Sequence, residues 1–435
     1  MPTTMGPYTY YPVEFTKDGD IYKPPQLDAV LAAVAPAAGL TDLFVISHGW
    51  NNDIADAEDL YTRIFTQVND VLAGQSPACA NVRARRAAVV GILWPSKKFA
   101  EKDLIPGGAA GLDDGTGALS DGIDTLSAFL DSPDAAQSLA RAKTLVDSLA
   151  DDMDARDEFV RIVRAFMPHD VNDEEPAVPN DLFVLGGDEL LQRLSRPGRD
   201  QASGGGGAAG FGDWMGKAIN GARSLVNLVT YYQMKNRAGV IGEKGAYDML
   251  RQIRVARPAD PSDGLRLHLI GHSFGCRLVT AATAGPAGTP PLPIDSLTLL
   301  QAAFSHYGFA QAYDGTHDGY FRRVVTDPTR VRGPVLISFT SKDLAVGLAY
   351  PIASRIARQI ASAFGDANDP YGGMGRNGAQ KTPGSVVVTM APPGTAYTFA
   401  ARGIYNLDAN AVIGGHSDLA HPQVAYALLS GVAVT

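Results

Sequence analysis

The chain has 435 residues, 45% of them hydrophobic and 19% charged, with a formal net charge of -9 and an isoelectric point near 5.4. That length and apolar content support a large buried core rather than disorder, and the acidic balance without any Lys/Arg run argues against a nucleic-acid or anionic-membrane partner. Two cysteines, Cys79 and Cys276, are too few for a disulfide framework and fit small buried thiols in a reducing compartment.

In chain order, residues 1–20 contain neither a basic segment nor an apolar one, so no secretory signal is expected. The Ala-rich Leu27–Leu40 stretch, interrupted by Asp28 and Pro36, is too short to span a bilayer, and the expected location is cytoplasmic. Tyr8–Phe15 is rich in aromatic and β-branched residues and predicts a strand; Lys17-Asp18-Gly19-Asp20 predicts a turn into Ile21-Tyr22, giving an antiparallel hairpin at a sheet edge that tolerates Pro12. Asp18 and Asp20 fit that turn better than a metal site. Leu43–Ser47 reads as a short buried strand, followed by His48-Gly49-Trp50-Asn51-Asn52 and a helix over about 53–72. Ala87–Trp94 is a second buried strand, closed by Pro95-Ser96.

From Lys97 to Ala222 strand patterning stops, apart from a strand-like Leu182–Leu185, and helical stretches cover Ile123–Ala150 and Asp157–Met167. Gly-rich segments at Ile105–Gly117 and Ala202–Gly212 flank them. The tetraglycine Gly204–Gly207 has no Lys-Ser/Thr ending and no preceding strand, which makes it a linker rather than a phosphate loop. The excursion leaves the carboxyl end of the Trp94 strand, the edge on which open α/β sheets bind ligands, and is therefore expected to form a cap. An amphipathic helix with Trp214, Met215, Ile219, Leu225, Val226 and Leu228 packs on the core or, in a sharper reading, acts as a lid or touches lipid.

A helix at Gly245–Val255 leads to the strand Leu265–Ile270, the pentapeptide Gly271-His272-Ser273-Phe274-Gly275 and a second apolar run. Strand, sharp turn and helix around G-x-S-x-G form a nucleophile elbow, with Gly271 and Gly275 permitting close packing and Ser273 held exposed on a strained turn. Strands follow at Ile294–Leu300 and Pro334–Thr340, the latter running into Ser341-Lys342-Asp343, then a helix at Leu348–Phe364 and a Gly/Asn loop from Asp366 to Gly384. Strands at Val386–Val388 and Gly403–Tyr405 precede Gly414-Gly415-His416-Ser417-Asp418 and a last helix through Leu429. Short strands alternating with helices predict an α/β protein with a mostly parallel sheet, an antiparallel N-terminal hairpin and a largely helical insertion. The expected division is core 1–96, insertion 97–222 and core 223–435, without internal repeats.

Three groups should meet on one rim of that sheet, in the chain order Ser273, Asp343, His416. A serine hydroxyl is a weak nucleophile at neutral pH, so an imidazole must take its proton, and a carboxylate must fix the tautomer and stabilise the imidazolium. The Phe274 N–H at a helix start and the Trp50 N–H, with Gly49 giving the geometry, are the candidate oxyanion donors. Asp343 competes with a plain helix N-cap role, and Asp314, Asp318 and Asp327 are rival acids. His421 is the rival base. His48 is expected to orient its loop, and His272, His268 and His306 to be structural. No His/Asp cluster has metal-ligand spacing, and no cofactor is implied.

Elbow, chain order and His-Gly-Trp loop together resemble the α/β-hydrolase superfamily. More narrowly, LFVISHGWNND at Leu43–Asp53, ILWPS at Ile92–Ser96 and LHLIGHSFG at Leu267–Gly275 are similar to a bacterial α/β-hydrolase family of largely unassigned function. The resemblance covers most of the chain outside 97–222 and implies the α/β-hydrolase fold with serine-hydrolase chemistry. One departure is the insertion ahead of the elbow, since caps in this superfamily more usually follow it. The expected activity is hydrolysis of a small-molecule or lipid carboxylic ester through an acyl-enzyme. A lipase or phospholipase with peripheral lipid contact through the cap is the sharper form, a peptidase or amidase would use the same triad, and a noncatalytic interaction module is the reading from a different class.

Overall fold

Strands whose residues are apolar on both faces need helices above and below, and that is how this chain is arranged. The computed structural model describes residues 2–96, 115–168, 180–195, 211–259, 264–346, 367 and 369–435. These form two compact units: Met1–Lys97, Arg237–Val346 and Gly373–Thr435 in one, Lys98–Asn236 and Gly347–Gly372 in the other. The sequence places the end of the insertion at Ala222; the contact division falls at Asn236 and gathers 347–372 into the same unit.

The first unit is built on a nine-stranded sheet: β1 (Thr3–Met5), β2 (Tyr8–Glu14), β3 (Asp42–Ser47), β4 (Ala87–Leu93), β5 (Arg266–His272), β6 (Ser296–Leu300), β7 (Val335–Phe339), β8 (Ser385–Thr389) and β9 (Ile404–Asp408), in the order β1-β2-β4-β3-β5-β6-β7-β9-β8. Only β1 and β2 pair antiparallel; every other pairing is parallel. The N-terminal hairpin therefore exists, but the partner of Tyr8–Glu14 lies upstream: Met5 pairs with Tyr8 across Gly6-Pro7, whereas Ile21 makes only an isolated bridge to Phe15. Nor is β2 the edge. Pro12 is accommodated because β1 reaches only to Tyr10, leaving that side of β2 without a strand partner beyond it.

Direction reverses at β3, whose neighbours are β4 on one side and β5 on the other. At such a switch point the two outgoing loops diverge and leave a crevice at the carboxyl ends of the strands. A second reversal places β9 between β7 and β8.

One sheet face is covered by helices Ile54–Ala73 and Pro422–Val432, which bury Tyr61, Phe65, Tyr426 and Leu429 against Phe44 and Leu407. Each such side chain contributes roughly 2 kcal/mol by leaving water. Asp53 caps the first of these helices, its side chain accepting the Asp56 N–H while Asp56 accepts the Asp53 N–H. Helix Phe274–Ala284 is buried along its whole length.

Within the second unit the described helices are Thr116–Leu130, Pro133–Thr144, Met153–Arg164, Asp181–Val184, Gly187–Leu194 and the start of Phe211–Ile241. The stretch read as one helix over Ile123–Ala150 breaks at Asp131, which takes a left-handed φ of 49° before Ser132-Pro133. The strand-like Leu182–Leu185 is a helical turn: Arg164 ties the Leu182 and Leu185 carbonyls together, and Phe183 and Val184 stay exposed, so no sheet surface selects a strand. Ile219, Leu225, Val226 and Leu228 are buried. The helix expected at Leu348–Phe364, the tetraglycine and most of both Gly-rich segments lie outside the described residues, as do the side chains of Trp214 and Met215. Among the described residues no helix is long and apolar enough to cross a membrane.

Candidate active site

Ser273 sits between the end of β5 and helix Phe274–Ala284, with φ 56° and ψ -124°. This is a region of backbone space that costs an L-residue of order 1–3 kcal/mol. Packing on both sides enforces it. The Ser273 N–H donates to the Leu300 carbonyl at 3.1 Å and its carbonyl accepts from Ala303 N at 3.2 Å, locking the turn against the end of β6. Gly271 and Gly275 leave room for the turn, since a Cβ on the first would lie 2.4 Å from Cys276 Cα and on the second 2.2 Å from the Ser47 carbonyl oxygen.

The loop after β3 meets this turn directly. A methyl group on Gly49 would stand 2.5 Å from Ser273 Cβ and 3.0 Å from its hydroxyl oxygen, so the backbone leading into Trp50 runs alongside the serine. Trp50 and Phe274 also face each other, ring centroids 6.0 Å apart.

His48, expected to orient this loop, is buried within it and hydrogen-bonded through both ring nitrogens. Its Nε2 accepts the Trp94 N–H at 3.2 Å, which leaves Nδ1 to donate to the Gly49 carbonyl at 2.8 Å. The imidazole stacks on the Trp94 ring at 5.5 Å, and the Trp94 indole donates to the His48 carbonyl at 3.0 Å. Burial drives the His48 pKa down to about 4, so the ring stays neutral. Sequence reading missed two members of this brace. Tyr61 accepts the His48 N–H at 2.8 Å and donates to the Ile92 carbonyl at 2.7 Å; Ser96 donates to the Asn52 carbonyl at 2.9 Å. The Trp-Pro-Ser segment is thus the clamp on the His-Gly-Trp loop, which gives a physical reason for both motifs to occur together.

Asp343 follows β7 and His416 follows β9, neighbouring strands that bring two distant loops to one side of the serine. His416 Nε2 lies 2.8 Å from Ser273 Oγ, and His416 Nδ1 lies 2.9 Å from Asp343 Oδ2. Donor logic fixes the order: Nδ1–H donates to the carboxylate, and Nε2 accepts the serine O–H. Asp343 is wholly buried. Burial alone would raise its pKa, but His416 and the hydrogen bonds from the Val346 N–H and the Gln301 amide outweigh that and hold the carboxyl below its ordinary value.

The rivals are separated from this line by their partners. Asp314 pairs with His317, Asp318 with Arg322, and Asp327 with Arg330. His421 stands at the N-terminal boundary of the last helix without capping it through its side chain, and donates instead to Asp418 Oδ1 at 2.8 Å. Asp418, missed in the sequence, also accepts the Gly414 N–H at 2.8 Å and closes the loop that carries His416. The two glycines of that loop do not take left-handed φ values, and a Cβ would stand 3.2 Å from Asp418 Oδ2 on Gly414 but meet nothing within 4 Å on Gly415, so Gly415 is required neither for the turn nor for packing. His272 donates from Nε2 to the His416 carbonyl at 3.0 Å, and burial lowers its pKa to about 3. His268 is held inside the sheet by Asp42 and Ser296, and His306 is buried with Nδ1 at 3.1 Å from the Asn377 amide.

Such a line is of the kind that can pass a proton from a hydroxyl to an imidazole and stabilise the charge that results. Among the described residues no group of three or more His, Cys, Asp or Glu side chains is placed to hold a metal ion. Comparisons with protein-family models, with curated proteins and with solved structures found no match.

Proposed function

We propose that this protein is a serine hydrolase of carboxylic esters, with an α/β-hydrolase fold and a Ser273-His416-Asp343 triad. The single observation that carries the reading is the unbroken hydrogen-bonded line Ser273 Oγ to His416 Nε2 at 2.8 Å and His416 Nδ1 to Asp343 Oδ2 at 2.9 Å, ending on a serine with φ 56°. A structural serine has no need of that strain.

Ser273 Oγ attacks the acyl carbon while His416 Nε2 takes its proton, and Asp343 stabilises the imidazolium across Nδ1. Negative charge develops on the former carbonyl oxygen beside the Trp50 and Phe274 amides, the second of which opens a helix whose dipole favours an anion. The imidazolium then returns the proton to the leaving alkoxide, and water repeats the sequence to release the acid. The two segments of the second unit leave the first after β4 and after Val346, in each case beyond the carboxyl end of a strand. His48, Tyr61 and Trp94 hold the oxyanion loop.

The test is a panel of short p-nitrophenyl esters with matched p-nitroanilides and phospholipid vesicles. Release of p-nitrophenol with a burst equal to the enzyme concentration is expected, with slower or absent anilide cleavage. A panel on which wild-type protein and Ser273→Ala protein give the same rate would overturn the reading.

A further inference from the structure

We propose that Gln301 is a positioning residue that locks the Asp343 carboxylate against His416 and thereby selects the imidazole tautomer facing Ser273; this rests on the hydrolase reading above. Gln301 directly follows β6, is fully buried and takes a left-handed φ of 49°. A non-glycine residue in that region is held there by its surroundings.

Every polar atom of its side chain is committed. Nε2 donates to Asp343 Oδ2 at 3.1 Å and to the Gly375 carbonyl at 2.9 Å, while Oε1 accepts the Ser338 hydroxyl at 2.8 Å. The Ser338 oxygen in turn accepts the Gln301 N–H at 3.1 Å. Only one amide orientation satisfies these partners, because the flipped amide would aim its oxygen at a carboxylate and a carbonyl.

Asp343 Oδ2 therefore receives Gln301 and His416 together, and Oδ1 receives the Val346 N–H at 3.0 Å. Without the Gln301 amide the Val346 N–H and His416 are the donors left to the carboxylate among the described residues, and it becomes free to rotate away from His416. Geometry at the imidazole then loosens, and a misplacement of about 1 Å in such a line costs up to ~100-fold in rate. A glutamate in the same place supplies a donor only when protonated; ionised, it sets a second negative charge beside Asp343. Among the described residues the other titratable or charged groups facing Asp343 are His416, His272, Cys276 and Arg376, all common to the variants.

The experiment compares full-length wild-type protein with Gln301→Met and Gln301→Glu, each first shown to melt cooperatively. Ester turnover is followed from pH 5.5 to 9, and the downfield proton NMR spectrum is recorded for the His416 Nδ1 hydrogen. Gln301→Met should lose roughly 10- to 100-fold in kcat with little change in KM, and its downfield resonance should broaden or vanish. Gln301→Glu should exceed Gln301→Met at the acidic end and lose that advantage as pH rises. Unchanged kcat and an unchanged downfield proton in Gln301→Met, or a pH-independent ratio between the two variants, would overturn the proposal. A downfield proton that depends on Gln301 in a protein without ester turnover would sink the hydrolase reading and leave the positioning role standing.

Discussion

The same three residue types form a hydrogen-bonded line at each end of the sheet. At the carboxyl ends of the strands lie Ser273, His416 and Asp343; at the opposite ends Ser296 Oγ is 2.8 Å from His268 Nδ1 and His268 Nε2 is 3.0 Å from Asp42 Oδ1. Distances do not separate the two. Setting does. Ser296 begins a regular strand and is paired in register with His268 itself, whereas Ser273 occupies a left-handed turn at a helix start. Asp42 also accepts Arg85 at 3.0 Å and Thr41 at 2.6 Å, so the inner line is a charge-balanced rivet across β3, β5 and β6. Among the described glycines the one nearest this line, Gly333, packs on the Asp295 carbonyl, whereas Gly49 packs on the Ser273 side chain itself. A serine, a histidine and an aspartate in contact are therefore a building material; strain, a helix start and a close-packed loop are what support the proposal of chemistry for one such line.

Substitutions sharpen that contrast. Ser273→Ala should lower ester turnover by ~10⁴-fold or more, measured with p-nitrophenyl butyrate, while leaving the melting temperature unchanged within a few degrees. Gly49→Ala should lower kcat by about 10²- to 10³-fold, because its methyl group cannot coexist with Ser273 and the loop proposed to carry the oxyanion donor must retreat; retained kcat would remove Gly49 from the account.

Acidification should act on the carboxyl-end rim through stability. His48 and His272 stay neutral in the fold down to pKa values of about 4 and about 3, below the usual 6.5. Below pH 6.5 the unfolded chain therefore binds protons that the folded chain refuses, so stability falls as pH drops from 6.5 toward 4 and is flat above that window for these groups. His48 alone contributes on the order of 3 kcal/mol over that range. Denaturant titrations at pH 7 and 4.5 check this, with a shallower decline expected in His48→Gln.

The smallest effect belongs to the inner line. Ser296→Ala should cost about 1 kcal/mol of stability and leave turnover unchanged within twofold.

Much of this architecture was legible in the sequence because buried parallel strands read as unbroken apolar runs: β3, β4, β5 and β7 fall where those runs lie. Ser273, Asp343 and His416 were legible because a strained turn demands glycines and strand ends demand a change of pattern. His268 was separable from them because it sits inside the apolar run of β5 instead of at its end. What escaped depends on partners far apart in the chain. β1 is three residues long and has no periodicity to read. Gln301 gains its meaning only from Ser338, Asp343 and Gly375, and Tyr61 from His48 and Ile92. Asp418 looked like one more loop carboxylate until it closed on Gly414.

The most direct measurement is intact-protein mass spectrometry after exposure to a fluorophosphonate, with the adduct mapped by peptide sequencing. One adduct per chain on Ser273, absent in His416→Ala, is the result predicted. No adduct on wild-type protein, or an adduct on another serine such as Ser296, would contradict the assignment.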